Sequence, residues 1–301
     1  MKVLSFGSLN IDYVYSVPHF IMRGETLATT SLNTYTGGKG LNQSVALAKA
    51  GLDVYHAGAV GNEGLFLVDE LRSAGVDTRH IKILPDVRTG HTIIQTNIDG
   101  DNCILLYGGA NRQITETQID DTLADFSAGD ALVLQNEINS LEYLAAQAKK
   151  RGMIVVLNPS PMESGVIPVF KYADYLLLNE VEAGQFLNED ISRCNPDDIA
   201  GKLRAELPGT KVVLTLGTNG SVYSDGTNTI HQDAVKVQAV DTTAAGDTFT
   251  GFFLAGIFGG KSPEWSMNFA AHASAIAVTR HGAAPSIPSR EEVLNSFTCL
   301  I

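Results

Sequence analysis

The sequence predicts an α/β fold: a mostly parallel central sheet with helices on both faces, plus a small antiparallel sheet. Two observations support this prediction. Short apolar segments such as Val54–Val60 and Ala131–Gln135 alternate with longer segments of helical character, which is typical of strands buried between two layers of helices. Segment 91–108 breaks this alternation, because its two strand-like runs flank Asp99-Gly100, and Asp-Gly favours a tight hairpin turn.

Each element follows from its local pattern. The apolar run 3–7 predicts a buried strand that ends in a turn, and Gly51 predicts the end of a helix over 41–50. Segment 12–36 alternates polar and apolar side chains, which predicts strands with one exposed face. Further strands are predicted at 54–60, 131–135, 154–158, 175–178 and 211–216, and further helices at 65–74, 141–151, 246–259 and 263–280.

Segments 12–36 and 91–108 are predicted to form the small sheet together. In α/β proteins such an addition commonly covers the carboxyl edge of the main sheet, where ligands bind, so we expect it to act as a lid. No internal repeat, low-complexity tract or linker divides the sequence. Residues 1–301 are therefore predicted to form a single domain that includes the lid.

The composition narrows the function classes. A formal charge of −12 argues against a broad electropositive surface for nucleic acid or anionic membranes. No run reaches the roughly 18 apolar residues of a membrane-spanning helix, and the N-terminus lacks the pattern of a signal peptide. The three cysteines are far apart and form no CxxC, which fits reduced thiols. We therefore expect a cytoplasmic protein without nucleic-acid or membrane partners.

The first candidate motif is Gly37-Gly38-Lys39-Gly40-Leu41-Asn42-Gln43, directly before a predicted helix. Glycines let a backbone approach a ligand closely, and a helix N-terminus offers free N–H groups to an anion. The motif is not a P-loop, because Asn33 stands where GxxxxGK[ST] needs glycine and Gly40 follows the lysine. Taken alone, the segment fits a flexible loop before a helix equally well.

The second candidate motif is Asp241-Thr242-Thr243-Ala244-Ala245-Gly246-Asp247, again before an apolar helix. Its small residues would present N–H groups at a helix start, where the helix dipole stabilises the charge of a phosphoryl group. Asp247 could there accept a proton from a substrate hydroxyl. Taken alone, an aspartate at this position is better explained as a helix cap.

Weaker signals lie at the ends of other predicted strands. Leu214-Thr215-Leu216-Gly217-Thr218-Asn219-Gly220 is a strand running into a glycine-rich turn, which could hold a nucleotide or be a plain β-turn. The carboxyl ends of parallel strands meet at one edge, so polar residues there could bind a hydroxyl-rich ligand together. The polar residues in question are Asn10, Asp12, Glu137, Asn179 and Glu182.

The order of these motifs resembles that of the ribokinase-like (PfkB) family of carbohydrate kinases over essentially the whole chain. The segments that carry the resemblance are Asn10-x-Asp12, Gly24-Glu25-Thr26, Gly38-Lys39-Gly40-x-Asn42-Gln43, Gly109-Ala110-Asn111, Asn158-Pro159-Ser160-Pro161, Asn179-x-x-Glu182, Thr215-Leu216-Gly217-x-x-Gly220, 241–247 and Gly282-Ala283-x-Pro285-Ser286. Two segments depart from the family pattern, Gly61-Asn62-Glu63-Gly64 and the context of Asn136.

The resemblance implies a Rossmann-like (ribokinase-like) fold and ATP-dependent phosphorylation of a sugar hydroxyl, with D-ribose converted to D-ribose 5-phosphate. It implies that Asp247 is the catalytic base and that Ala244, Ala245 and Gly246 form an anion hole. The implied sugar-binding residues are Asn10, Asp12, Gly38, Lys39, Asn42, Glu137 and Asp247. The implied ATP-binding residues are Asn179, Thr215, Gly217, Gly220 and Gly246.

The resemblance also implies two metal ions and an assembly. Glu182 would hold Mg²⁺ through water. A monovalent cation, K⁺, would lie beside the anion hole, in part on backbone carbonyls. The residues implied for K⁺ are Asp241, Thr243, Ala277, Arg280, Gly282 and Ser286. The lid would form the interface of a homodimer.

Two alternatives stay open at this stage. The substrate could be another sugar, such as fructose, or a nucleoside. The chain could also be a non-catalytic sugar-binding or regulatory protein on the same scaffold, although no residue of the 244–247 turn is replaced.

Overall fold

The computed structural model describes residues 1–191 and 194–298, which form two sheets and the helices around them. The strands are β1 Val3–Phe6, β2 Asn10–Ser16, β3 Ser31–Gly37, β4 Val54–Val60, β5 Asp77–Ile83, β6 Gly90–Thr96, β7 Asn102–Tyr107, β8 Ala131–Gln135, β9 Ile154–Asn158, β10 Tyr175–Asn179, β11 Lys211–Thr215, β12 Ser221–Ser224 and β13 Thr229–Gln232. The helices are α1 Lys39–Lys49, α2 Leu65–Ser73, α3 Glu116–Leu123, α4 Leu141–Lys150, α5 Glu180–Leu187, α6 Pro196–Glu206, α7 Ala245–Phe258, α8 Pro263–Ala277 and α9 Arg290–Thr298.

The main sheet has the order β13-β12-β11-β10-β9-β8-β1-β4-β5. Strands β11 to β5 along this order are parallel, and only the pairs β11–β12 and β12–β13 at one edge are antiparallel. Side chains of a strand alternate between its faces, and here both faces are apolar. In β8, Val133 packs into one core cluster and Leu132 and Leu134 into the other. This confirms the predicted fold class.

The small sheet has the order β3-β2-β6-β7 and comes from the two segments predicted for it. The pairs β2–β3 and β6–β7 are antiparallel, and the central pair β2–β6 is parallel. Strand β2 begins at Asn10, close after the end of β1 at Phe6. The small sheet therefore grows out of the carboxyl edge of the main sheet, and it carries Asn10 and Asp12 at the start of β2.

Helices α1 and α7 pack tightly against each other, and glycine makes this possible. A Cβ added to Gly251 of α7 would lie 2.4 Å from the Cβ of Ala46 on α1. A Cβ on Gly40, in the first turn of α1, would lie 2.3 Å from the backbone N of Ser8. The N-terminus of α1 is thus held beside the end of β1, and the middle turns of α1 and α7 are held against each other.

Among residues 1–191 and 194–298, no helix combines the length and the hydrophobicity that crossing a membrane requires.

Candidate active site

Asp247 lies in the first turn of α7, where 7% of it is exposed. Its Oδ2 accepts a hydrogen bond from Nδ2 of Asn42 at 3.1 Å, and its Oδ1 accepts one from Nε2 of Gln43 at 2.9 Å. The residue that caps α7 is Ala244, and no side chain caps the helix. The helix-cap interpretation of Asp247 is therefore wrong, because its carboxylate is bonded to another helix.

The turn before Asp247 is shaped to leave N–H groups free. Ala244 has a left-handed backbone (φ 59°), which is rare for a residue with a side chain and marks a constrained turn. The first hydrogen bond of α7 runs from the Thr248 N to the Ala244 O at 2.8 Å, and the Ala245 N donates to the Thr242 O at 3.2 Å. The N–H groups of Gly246 and Asp247 have no acceptor within the helix, as expected for its first turn.

These N–H groups border a cleft of about 230 Å³ at the carboxyl edge of the main sheet. The helix dipole makes such a place favourable for a phosphoryl group. The cleft is lined by Lys39, Asn158, Ser160, Leu177, Leu178, Asn179, Glu182, Thr215, Thr242, Ala244, Ala245, Gly246, Asp247 and Thr250. Segments far apart in the sequence, from α1 to α7, thus share one cavity.

Lys39 is the cation of this cleft. It is half-buried, and burial opposes its positive charge. The carboxylates of Asp247, Glu137 and Glu182 outweigh that effect and raise the pKa of Lys39 above its usual value. A lysine held protonated among three acidic groups is suited to attract a phosphate as a point charge.

The predicted sugar-binding residues come together around the N-terminus of α1. Glu137 accepts hydrogen bonds at Oε2 from the Lys39 N at 3.0 Å and from the Ser8 hydroxyl. Asn10 pairs with Gly37, the residue before Gly38, in the small sheet. Its side-chain Oδ1 accepts a bond from Asn111 at 2.7 Å, so its amide N–H₂ is left for other partners.

Asp12 lies against the backbone of Gly37. A Cβ added to Gly37 would lie 2.0 Å from the Asp12 Oδ2, so a side chain at residue 37 would collide with this carboxylate. Burial raises the pKa of Asp12, a hydrogen bond from Thr92 at 2.6 Å lowers it, and the negative charge of Glu137 raises it; the net result is a pKa of about 6. Two carboxylates close together and away from water are costly unless a ligand or a proton compensates them.

The predicted nucleotide residues are only partly gathered in the cleft. Asn179 and Thr215 are paired across β10 and β11, and both line the cleft. Gly217 and Gly220 lie in the following turn and do not line it. Gly220 has φ 84°, and a Cβ there would lie 2.1 Å from the Gln232 O, so the turn itself requires this glycine.

Asn179 and Glu182 form a capping box at the start of α5. The Glu182 N donates to the Asn179 Oδ1 at 2.9 Å, and the Asn179 N donates to the Glu182 Oε2 at 3.1 Å. The motif therefore has a structural role as a helix start. Glu182 is nevertheless buried and lines the cleft, so a carboxylate oxygen donor is present there, the kind of ligand that Mg²⁺ prefers.

Asp241 joins two of the segments predicted to hold a monovalent cation. Its Oδ1 accepts a bond from the Thr243 N and its Oδ2 from the Gly282 N, both at 2.9 Å. Burial opposes its charge, but these bonds outweigh burial and lower the pKa of Asp241. A carboxylate and nearby backbone carbonyls are hard oxygen donors, which fit an alkali cation.

The other predicted cation residues lie in segment 277–286, which contains Gly282. The Arg280 N donates to the Ala277 O at 3.0 Å, and the Arg280 Nη1 lies 3.5 Å from the Ser286 O. The Arg280 guanidinium is ion-paired with Glu292, so only its carbonyl could serve a cation. Within the described part of the chain, no three His, Cys, Asp or Glu side chains are grouped as a metal site.

Several residues of the site had no predicted role. Gln43, Asn111 and Asn158 belong to the sequence motifs but had no predicted role, and Ser8 and Thr92 belong to none of the motifs. The signal that could have found them is a polar side chain in an otherwise buried segment, because such a group needs a partner. Which partner it takes depends on the tertiary structure.

The two departures from the family pattern have structural roles here. Glu63 accepts a bond from the Thr89 N at 2.9 Å, and the Gly61 N donates to the Thr89 hydroxyl at 2.9 Å. This ties segment 61–64 to the residue before β6 of the small sheet. Asn136 donates to the Pro161 O at 2.7 Å, so it connects the ends of β8 and β9.

The fold and the cleft together define an α/β protein with an anion-binding helix start beside a set of buried polar groups. Residues 1–290 match the model of the pfkB family of carbohydrate kinases. The chain belongs to this family, which confirms the resemblance found in the sequence.

Individual relatives agree over the full chain. The ribokinase of Haemophilus influenzae is 35% identical over 292 residues, covering 96% of this chain and 95% of that protein. The crystal structure of a ribokinase from Thermotoga maritima has a TM-score of 0.87 at 34% identity and covers 99% of both chains. The structure of Arabidopsis thaliana ribokinase complexed with ribose and ATP has a TM-score of 0.87 at 29% identity, covering 98% of this chain and 97% of that one.

The raised pKa of Asp12 predicts a pH-dependent effect of Asp12→Asn on stability. A shift from 3.8 to about 6 corresponds to about 3 kcal/mol. Because the folded-state pKa is the higher one, the charged form destabilises the native state as pH rises from about 4 to 6. The variant should match wild type near pH 4 and be more stable, by up to about 3 kcal/mol, above pH 6.

Urea denaturation between pH 4 and 8 measures this difference. Asp121→Asn, at an exposed position of α3, is the control and should show no such trend. A difference between Asp12→Asn and wild type that stays constant across this pH range would contradict the burial of a charged Asp12.

Proposed function

We propose that this protein transfers the γ-phosphoryl group of ATP to a sugar hydroxyl, and that the sugar is D-ribose, phosphorylated at its 5-hydroxyl. The observation that carries the proposal is the placement of Asp247. A buried carboxylate, held by two amide donors, lies in the first turn of a helix whose free N–H groups border a cleft with Lys39. Support for ribose comes from the ribokinases of Haemophilus influenzae and Thermotoga maritima, which match this chain over almost its whole length.

In the proposed mechanism, Asp247 accepts the proton of the sugar hydroxyl as that oxygen attacks the γ-phosphorus. Phosphoryl transfer depends on positioning and charge stabilisation more than on covalent chemistry. The N–H groups at the start of α7 (Ala244, Ala245 and Gly246, the proposed anion hole) would stabilise the charge that builds on the phosphoryl oxygens. The Ala245 N–H would have to leave the Thr242 O to take part. Lys39, which lines the same cleft, would add positive charge.

The sugar would be held by the polar groups around α1. The Asn42 Oδ1 is buried and has no hydrogen-bond partner among the described residues. An unpaired buried acceptor is costly, and a sugar hydroxyl would supply the missing donor. Asn10, Asp12 and Glu137 would accept or donate further bonds, with the backbone at Gly38 close by. The small sheet, which carries Asn10 and Asp12, would act as the lid over the sugar.

The nucleotide would lie along the other half of the cleft. Thr215 and Asn179 border it from β11 and β10, and Gly217 and Gly220 shape the turn beyond. Gly246 would contact the phosphates at the start of α7. Glu182 would hold Mg²⁺ through water, and the ion would neutralise charge on the phosphates of ATP when bound.

We also propose a K⁺ site, a dimer and a cytoplasmic location. Asp241 would hold K⁺ with the carbonyls of the two segments that it joins. Replacing K⁺ by a bulky organic cation should slow the reaction, and an unchanged rate would count against the site. The dimer would form through the small sheet, where Leu105 and Tyr107 of β7 are exposed; a purely monomeric species in sedimentation would refute it.

A substrate panel tests the sugar. ATP consumption would be measured with D-ribose, 2-deoxyribose, fructose, other pentoses and hexoses, and nucleosides. We expect the highest kcat/KM with ribose, because a site built to bind hydroxyls loses binding energy when one is missing. Turnover of another sugar or a nucleoside, with none of ribose, would reject ribose and keep the kinase. Binding of a sugar without any turnover would favour a non-catalytic sugar-binding protein instead.

Asp247→Asn tests the proposed base. Asparagine has the same shape but cannot accept the proton in the transition state, so kcat should fall by roughly 10²-fold or more. The sugar contacts proposed for Asn10, Asp12 and Glu137 do not involve the substituted group, so the sugar dissociation constant should change much less than kcat. Calorimetric titration with the sugar and steady-state kinetics give the two values. Asp121→Asn serves as the control, and a variant Asp247→Asn with near-normal kcat would refute the role.

A further inference from the structure

A chain of buried amides leads from the main sheet to Asp247. Gln135, the last residue of β8, donates from Nε2 to the Oε1 of Gln43 at 2.6 Å. Gln43 in turn donates from Nε2 to Asp247 at 2.9 Å and to the Oδ1 of Asn158 at 3.1 Å. Gln135 and Gln43 are both fully buried, so water cannot replace either amide.

The chemistry of the groups fixes the direction of every bond in this chain. An ionised carboxylate only accepts hydrogen bonds, so Gln43 must turn its N–H₂ toward Asp247. Its Oε1 then faces Gln135, which must present its own N–H₂. Asn158 is fixed independently, because its Nδ2 donates to the Leu177 O at 2.9 Å and leaves its Oδ1 for Gln43.

Gln135 is poorly explained by stability alone. Its Oε1 is buried without a hydrogen-bond partner among the described residues, and such an atom costs stability. The rest of β8, Ala131 to Leu134, is apolar and fully buried. Gly7 makes room for this amide, since a Cβ there would lie 2.2 Å from the Gln135 Oε1. An apolar side chain would avoid this unpaired acceptor but would leave the Oε1 of Gln43 without its donor, so the role of Gln135 lies in its bond to Gln43.

We propose that Gln135 is a positioning residue for phosphoryl transfer. It touches neither substrate, and it acts by holding the amide of Gln43 in the one orientation that offers a donor to Asp247. Without it, the buried Oε1 of Gln43 would lose its donor, and the side chain could shift toward another donor and draw its N–H₂ away from Asp247. Asp247 would then lose one of its two side-chain donors and its fixed direction. The inference rests on the proposed role of Asp247 as the base.

Gln135→Met, Gln43→Met and the double variant test the proposal, with the sugar that the panel selects. Gln135→Met should lower kcat on the order of 10-fold, as small displacements of catalytic groups do. The KM values for sugar and ATP should stay within about 2-fold, since no ground-state contact is removed. Gln43→Met should lower kcat more. The double variant should equal Gln43→Met, because Gln135 acts only through Gln43.

Gln135→Leu guards against an effect of one particular replacement, since it has a similar volume and also lacks the donor; it should lower kcat about as much as Gln135→Met. The matched control is Gln118→Met. Gln118 is equally buried, and its amide donates to the Gly58 O at 2.8 Å, outside this chain of amides. Its removal should lower the melting temperature and leave kcat within about 2-fold.

The outcomes separate the inference from the proposed function. Two results obtained with an active wild type would overturn the role of Gln135 and leave the proposed function intact. One is a Gln135→Met variant with unchanged kcat. The other is a double variant in which the kcat losses of the two single variants add up. Equal losses in the Gln118 and Gln135 variants would mean a structural effect and would also overturn it. A wild type that phosphorylates no sugar or nucleoside would overturn the proposed function and this inference together.

Discussion

The structure depends on one contact, in which two amides of α1 hold the carboxylate of Asp247 on α7. The partners are 205 and 204 positions apart in the sequence, so the contact joins the first part of the chain to the last. A buried carboxylate without donors would be strongly unfavourable. The close packing at Gly251 and Ala46 therefore also keeps α1 near enough for its amides to reach Asp247. A wider spacing between the helices would leave Asp247 buried and unpaired.

The same geometry explains why sugar-facing and phosphate-facing groups share one cavity. Helices α1 and α7 both begin at the carboxyl edge of the parallel sheet, so their N-termini point into the same crevice. Strand β2 leaves that edge directly after β1 and takes Asn10 and Asp12 with it. Lys39 stands between the two halves, and the carboxylates on either side keep it charged. Negative charge is thus concentrated where a polyhydroxy ligand and a cationic side chain can balance it.

The sequence allowed part of this to be predicted. Strands β4, β8 and β9 were predicted to the residue, because they are short apolar runs whose pattern does not depend on neighbours. Strand β5 and helix α6 were missed, since edge strands and surface helices carry mixed polar residues. The parallel pairing of β2 with β6 was also missed, because pairing is decided by tertiary structure. For the same reason the local pattern favoured a cap for Asp247: its real partners are on another helix.

Buried polar atoms among the described residues are of two kinds, those with a hydrogen-bond partner and those without one. Asn111 and Gln118 are buried with their amides bonded to the backbone or to a fixed neighbour, as folding requires. At the site, the Asn42 Oδ1 and the Gln135 Oε1 lack partners among the described residues, and Asp12 carries a raised pKa. Each of these features costs stability on its own. Unpaired atoms also occur at Ser5, His56 and Ser221, which do not line the cleft. What distinguishes the site is that a ligand can satisfy Asn42 and Asp12, while the bond from Gln135 orients Gln43, which donates to Asp247.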